Sequence, residues 1–314
     1  MSNQQNNWEW SLPEPISSIL KQYVHQCQHP GLLLDKYTPY GSYRSGWQLG
    51  PRRDSKRVWL NQIVNTPSDK ELAIFQEKRW LEIVKVHQFD AQSLDWRMET
   101  IAPLIVGLGA EHALETAITL DRNSGLPIIP GSALKGLARY SALIDIAKKL
   151  PFDQLSRKLE QLNALDNWLE QEKLDWKAIK RITGLEENPE ASEITAYREI
   201  FGTVKKVGSI IFVEGIPLLG KGPYFRLDVM TPHFGDYYTH NKPPSEDQSP
   251  IPVTYLTLNS GQIFRFALLP RTQNDTRWVQ QARTWLQTGL IDYGIGAKTA
   301  QGYGLFRNLE GVTS

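Results

Sequence analysis

A chain of 314 residues, 40% of them hydrophobic, has enough apolar material for one large core or two ordinary ones. Its formal charge is only +1, which excludes a uniformly basic surface, so any nucleic-acid contact must come from local patches. One cysteine, Cys27, excludes an intrachain disulfide and a cysteine-built zinc cluster. No apolar run reaches membrane-spanning length and the polar start, Met1 to Asn7, lacks a signal-peptide core, so a soluble cytoplasmic protein without a membrane partner is expected.

Residues 1–13 are polar and expected to fray, with Trp8 and Trp10 as docking points. Ile16, Ile19, Leu20 and Tyr23 predict a short helix after Pro15. Across 30–66, Lys36, Tyr37, Tyr40, Tyr43, Arg44 and Trp47 lead into Arg52, Arg53, Lys56, Arg57 and Trp59. Two readings stand for this stretch. Cations interleaved with aromatics form single-stranded nucleic-acid surfaces, where charges follow phosphates and rings stack on bases. Alternatively it is an irregular surface loop whose aromatics pack onto the body. Residues 68–88 predict a helix capped by Ser68 or Asp69, burying Leu72, Phe75, Trp80, Ile83 and Val84. Thr100–Gly109 and His112–Leu120 predict strands or a hairpin. His112 beside Glu115 suggests a metal ligand pair, but such a lone histidine is more often structural.

Gly125-Leu-Pro-Ile-Ile-Pro-Gly-Ser-Ala-Leu-Lys-Gly-Leu-Ala-Arg139 reads as a strand, a proline-bounded loop and a helix. Pro130 stops the strand, Gly131 turns the backbone where a Cβ would clash, and Ser132 is a suitable N-cap. Leu134, Leu137, Tyr140, Ile144 and Ala147 predict a core stripe, with Ser132, Lys135 and Arg139 on another face. A helix start with glycine and two cations makes a phosphate site, or else only a solvated basic face. The nucleotide-binding P-loop is excluded. Gly131 and Gly136 have its spacing, but Leu137 and Ala138 stand where lysine and serine or threonine are needed.

Leu155, Leu159, Leu162, Leu165, Trp168 and Leu169 predict a charged helical segment over 151–184, part of an insertion at about 151–200. Glu193–Phe201 predicts a helix ending at Gly202, and Ser209–Leu219 a strand bulged at Gly215. Phe225–Met230 is a further strand. A proline-rich excursion over 231–252 follows, in which His233, Tyr237 and Tyr238 form a candidate stacking surface. Val253–Leu258 and Gln262–Leu269 predict a strand pair across Asn259-Ser-Gly261. Thr276–Leu286 is an amphipathic helix. Gly294-Ile-Gly-Ala-Lys-Thr-Ala-Gln-Gly-Tyr-Gly304 is either a backbone-rich phosphate cradle around Lys298 and Thr299 or a tight turn into the last strand. The element order predicts an α+β, ferredoxin-like (RRM-type) fold elaborated by helical insertions. It would comprise residues 96–314, with residues 1–95 as an extension packed on the core.

The segment Gly125 to Arg139 resembles the central motif of the RAMP superfamily of CRISPR effector proteins, and Gly294 to Gly304 resembles its glycine-rich loop. Leu227-Asp-Val-Met-Thr-Pro-His-Phe-Gly-Asp-Tyr-Tyr238 resembles a narrower signature, that of the sixth subunit of type III-B Cmr complexes. The likeness covers roughly residues 100–306, and three motifs in this order are far more specific than one. It implies a non-catalytic subunit of a crRNA-guided, RNA-targeting complex that needs no cofactor. The subunit would sit at the end of the backbone filament carrying the guide's 3′ part. Partners would be crRNA, target RNA and other Cmr or RAMP subunits. By likeness of position, Gly131, Ser132, Lys135, Arg139, Lys298 and Thr299 would hold guide phosphates, and the loop after Met230 would reach towards the guide–target duplex. The family's target-cutting aspartate belongs to another subunit, and no position here inherits it. The alternative is a RAMP-type endoribonuclease of guide precursors using His233, Tyr237, Tyr238 and Lys298 in metal-free acid–base chemistry. No His–His or His–Lys pair at close spacing supports it. A protein-only scaffold is the third reading, opposed by the basic–aromatic stretch.

Overall fold

The computed structural model describes residues 8–43, 46–51, 54–87, 94–148, 163–173, 175, 177, 192–220, 223–231, 243 and 252–309. Its helices are α1 (Glu14–Tyr23), α2 (Pro30–Asp35), α3 (Ser55–Val64), α4 (Lys70–Val86), α5 (Gly131–Lys148), α6 (Ser192–Phe201) and α7 (Val279–Thr288). Its strands are β1 (Tyr40–Tyr43), β2 (Gly46–Leu49), β3 (Asp95–Thr100), β4 (Ile210–Phe212), β5 (Ile216–Pro217), β6 (Phe225–Met230), β7 (Val253–Leu258), β8 (Ile263–Pro270) and β9 (Phe306–Asn308). All strand pairs are antiparallel, giving an α+β architecture. No helix among the described residues is long and apolar enough to cross a membrane.

The chain forms two compact units. The first gathers 1–76, 103–127 and 219–262; the second gathers 77–102, 128–218 and 263–314. Residue 95, the boundary expected from the sequence, lies inside the 77–102 stretch.

In the first unit, Pro15 and Glu14 suit the first turn of α1, where proline has no lost hydrogen bond and a carboxylate meets the positive helix end. The expected apolar stripe is only partly buried. Leu20 packs inward while Ile16, Ile19 and Tyr23 are exposed. The His29 side chain caps α2, its Nδ1 accepting from the Leu32 N–H at 3.0 Å. The 30–66 stretch is no irregular loop: it folds as α2, the β1–β2 hairpin and α3. Trp59 is fully buried on α3, donates from Nε1 to the Leu33 carbonyl at 3.2 Å, and meets Trp8 and Trp10 edge to face. Indole burial is what draws this segment into regular structure. β6 and β7 form a six-pair ladder from Phe225↔Leu258 to Met230↔Val253.

In the second unit the sheet runs β4–β8–β3–β9, with β5 also pairing with β8. β8 is central and buried along nearly its whole length. Phe264 and Phe266 of β8 pack with Phe306 of β9, and Trp96 of β3 stacks on Phe266 at 5.8 Å. The alternate residues Ala267 and Leu269 join Trp80, Val84, Leu94 and Ile216 in a separate cluster, as period-two alternation requires. Arg265, on that register, is buried between Glu77 at 3.3 Å and Asp95 at 3.6 Å.

Several sequence expectations are corrected. β7 pairs with β6, while β8 pairs with β3, β4 and β5, so the expected β7–β8 hairpin is absent. β8 instead pairs along β3, whose Trp96 stacks on Phe266. The strand predicted from Thr100 to Gly109 ends at Thr100; β3 lies before it, and 101–130 holds only isolated bridges. Pro103, Pro127 and Pro130 lack ladder donors, and Gly107 and Glu115 adopt positive φ. On α4, Asp69 is the cap, accepting from Glu71 and Leu72. Its buried row is Ala73, Trp80 and Val84, leaving Phe75 and Ile83 exposed. α6 ends at Gly202 with φ +86°, as its sequence implies, and the 210–217 strand breaks before Gly215. Of the charged insertion, 163–169 is helical and buries Leu165 and Leu169.

Candidate nucleic-acid interface

The Pro130 carbonyl accepts from Ala133 N–H at 3.0 Å and Leu134 N–H at 3.1 Å, so α5 begins at Gly131. Ser132 is therefore in the first turn, exposed, and is not the N-cap expected from sequence. Gly131 is required for another reason than turning. A Cβ there would run into the Phe212 carbonyl oxygen, so only glycine lets the helix start lie against β4. No acidic residue occupies this first turn, which keeps its exposed N–H end positive. The buried row is Leu134, Ala138, Ser141, Ala142, Ile146 and Ala147. The expected stripe through Tyr140 is thus rotated, and Tyr140 is half exposed. Small side chains at 138 and 142 let α5 lie close to its neighbours, which turns the larger tyrosine outward.

Lys135 lies one turn into α5 and is partly buried. Burial pushes its pKa below the usual lysine value, and the positive charges of Arg271 and Arg139 push it further the same way. Arg271 follows β8; its Nε donates to the Gly208 carbonyl at 2.7 Å, which fixes the guanidinium. Among the described residues neither Lys135 nor Arg271 has a carboxylate partner. Like charges held together at a helix N-terminus make a local positive potential that an anion relieves.

Arg139 differs. Its guanidinium pairs with Asp166 at 2.7 Å and Glu170 at 2.6 Å, and its Nε donates to the Tyr197 hydroxyl at 2.7 Å. That hydroxyl in turn donates to Asp166 at 2.7 Å. Burial alone would lower the Arg139 pKa, but the hydrogen bonds and charges of Asp166 and Tyr197 outweigh it and raise it. Burial, then the bond to Asp166, raises that of Tyr197. Arg139 thus fastens the 163–170 segment and α6 to α5, with its charge offset by two carboxylates.

The glycine-rich segment follows a π-helical turn, Gly289–Tyr293, which packs on α5 because Gly289 leaves room for the Leu137 side chain. Gly294, Gly302 and Gly304 all have positive φ, and Ile295 N–H donates to the Gly304 carbonyl at 3.0 Å, closing the loop. Lys298 adopts the left-handed region at φ 62°, a strain of about 1 kcal/mol or more for a residue with a Cβ. Its ammonium lies 5.9 Å from the Tyr303 ring centroid, and Thr299 opens a short 3-10 turn beside it. The loop is therefore both a tight turn into β9 and a cluster of backbone groups around a cation.

The other sequence candidates fall elsewhere. Lys56 pairs with Glu115 at 2.7 Å, and exposed Arg57 lies 3.7 Å from Asp54. Arg52, Arg53, His233, Tyr237 and Tyr238 lie outside the described residues. His112 is 3.2 Å from Asp35 through Nε2 and accepts the Leu114 N–H through Nδ1, so both ring nitrogens are occupied without a metal. Sequence reasoning missed Arg271, which no motif marks, and missed Asp166 and Glu170 because their contact with Arg139 spans 27 residues or more.

The sequence profile of the RAMP superfamily matches residues 97–307, which include α5 and the glycine-rich loop. CRISPR system Cmr subunit Cmr6 of Pyrococcus furiosus is 33% identical over 228 residues, 66% of this chain and 66% of that protein. Cmr6 of Saccharolobus solfataricus is 30% identical over 109 residues, 34% of this chain and 35% of that protein. The crystal structure of Cmr6 from Pyrococcus furiosus aligns with a TM-score of 0.47 at 30% identity, covering 68% of this chain and 96% of that one. The cryo-EM structure of type III-B Cmr-beta bound to cognate target RNA contains a chain of similar fold, with a TM-score of 0.52 and 20% identity, covering 81% of this chain and 71% of that one. With two thirds of its length matched by one profile, the chain belongs to the RAMP superfamily of CRISPR proteins.

Proposed function

We propose that this chain is a non-catalytic, RNA-binding structural subunit of a type III-B Cmr effector complex. It binds the 3′ part of the crRNA and caps the backbone filament, with target RNA and neighbouring Cmr subunits as further partners in the cytoplasm. The observation that carries the reading is the uncompensated pair Lys135 and Arg271 at the start of α5. Gly131 and Ser132 offer first-turn amides there and Lys135 and Arg271 the charge, while Lys298 and Thr299 take a further phosphate at the glycine-rich loop. Arg139 supports this surface by holding α5 to its neighbours. Arg52, Arg53, Lys56 and Arg57 in the N-terminal 1–95 part supply additional phosphate contacts. His233, Tyr237 and Tyr238 reach the guide–target duplex. Similarity to Cmr6 supports the assignment to the complex.

The expected behaviour is binding without cleavage. Phosphates are held by distributed cations and amides that tolerate imprecision, whereas hydrolysis needs a base poised at the 2′-hydroxyl. Labelled guide-precursor RNA incubated with the purified chain, with and without magnesium or manganese, should shift in a gel and stay intact. Sustained cleavage abolished by His233→Ala or Lys298→Ala would replace this reading with the endoribonuclease one.

A further inference from the structure

Tyr140 faces outward on α5 and is 50% exposed, a large aromatic ring on a helix with ample room for a polar residue. It meets Tyr293 edge to face, with centroids 5.2 Å apart and planes at 80°. Tyr293 is the last residue of the π-helical turn, immediately before Gly294 opens the glycine-rich loop. The pair thus links the two elements proposed above to hold phosphates. π-turns are frequent at functional sites, and this one carries Tyr293 against α5. Neither phenol has a hydrogen-bond partner among the described residues.

A second feature lies on the same helix row. Ser132, Gly136 and Tyr140 are spaced by four and all exposed. Gly136 is interior to an 18-residue helix, where glycine costs about 1 kcal/mol relative to alanine. A Cβ at Gly136 would meet nothing within 4 Å, so the fold itself does not require its absence. The clearance is on the solvent side, one turn before the exposed ring. Lys135 is five residues before Tyr140, about 7.5 Å along the axis and about 140° around it, so its charge lies on the adjoining face. First-turn amides with a cation on the adjoining face, an open helix surface at Gly136 and an exposed ring next along the same row are the parts of a single-stranded nucleotide site.

We propose that Tyr140, braced by Tyr293, is a stacking platform for an unpaired base of an RNA strand whose phosphates pass the start of α5. The site reads no sequence, since every base has a π-face, and it takes single-stranded in preference to duplex RNA because a paired base hides its face in the helix stack. This rests on the RNA-binding reading above and deepens it.

The test uses the full chain and two single-stranded RNAs, one carrying 2-aminopurine along its length and one with abasic sites in its place. The wild type should quench 2-aminopurine fluorescence. Tyr140→Ala should bind the first RNA about tenfold more weakly, with an unchanged salt slope, and bind the abasic RNA as the wild type does. Tyr140→Phe should retain affinity and quenching. Tyr140→Leu, which keeps apolar packing against Tyr293, should lose both, and decides the matter if the alanine variant is unstable. If the wild type binds RNA with a steep salt slope but Tyr140→Leu binds and quenches equally well, the platform is disproved while the phosphate site stands. If the wild type binds neither RNA, both readings fail.

Discussion

Gly131→Ala should destabilise the second unit by about 2–3 kcal/mol and remove most RNA affinity with it. The added methyl would be driven into the Phe212 carbonyl oxygen, and its carbon lies only 3.0 Å from that residue's carbonyl carbon. Both are backbone atoms of β4, which is locked to β8 through Ile210↔Pro270, Ile211↔Leu269 and Phe212↔Leu268. No side-chain rotation can relieve the clash, so the start of α5 must move off the strand. That movement displaces Lys135 from Arg271. Urea denaturation provides the stability and a gel shift the affinity. Gly136→Ala is the control for stability alone: with nothing within 4 Å of the new Cβ, it should stabilise the helix by up to about 1 kcal/mol. A Gly131→Ala protein as stable as the wild type would mean that the helix does not start against β4.

Trp59→Ala should cost the first unit about 3–5 kcal/mol. The indole is fully buried, and its removal leaves Trp8 and Trp10 without their edge-to-face partner and the Leu33 carbonyl with only the Thr38 hydroxyl as donor. Trp10 is independently fixed, donating to the Tyr37 carbonyl at 2.7 Å, so the cluster cannot simply collapse into the cavity. Trp59→Phe, which keeps much of the volume but loses the N–H, should cost clearly less. Tryptophan fluorescence during denaturation reports both. A Trp59→Ala chain that melts like the wild type would return this aromatic stretch to the surface role that its sequence suggests.

The contrast between these two positions shows what was legible beforehand. The 125–139 motif announced its helix, its glycine and its cations, because each follows from local backbone chemistry. The sequence also marked Gly202 as the end of α6 and Asp69 as an N-cap candidate. It misjudged whatever depends on distant partners. Trp59 resembles a base-stacking residue in the sequence because Trp8 and Trp10, which bury it, lie some 50 positions away. Arg139 resembles a free cation until Asp166 and Glu170 arrive from another helix. Tyr140 fits an apolar stripe by spacing, yet Ala138 and Ala142 allow closer packing one residue round the helix and the ring points out. Arg271 has no motif at all, and its importance comes only from following β8 to a place where its charge acts on Lys135.

The salt dependence of RNA binding bears most directly on the claim that Lys135 and Arg271 hold RNA phosphates. Affinity of the full chain for a single-stranded RNA would be measured from about 50 to about 200 mM salt for the wild type, Lys135→Ala, Arg271→Ala and the double variant. Each lost phosphate contact should flatten the log–log slope by about 0.7, and the double variant should lose about twice that, with melting temperatures little changed. A double variant that folds normally and keeps the wild-type slope would show that RNA, if bound at all, is held elsewhere.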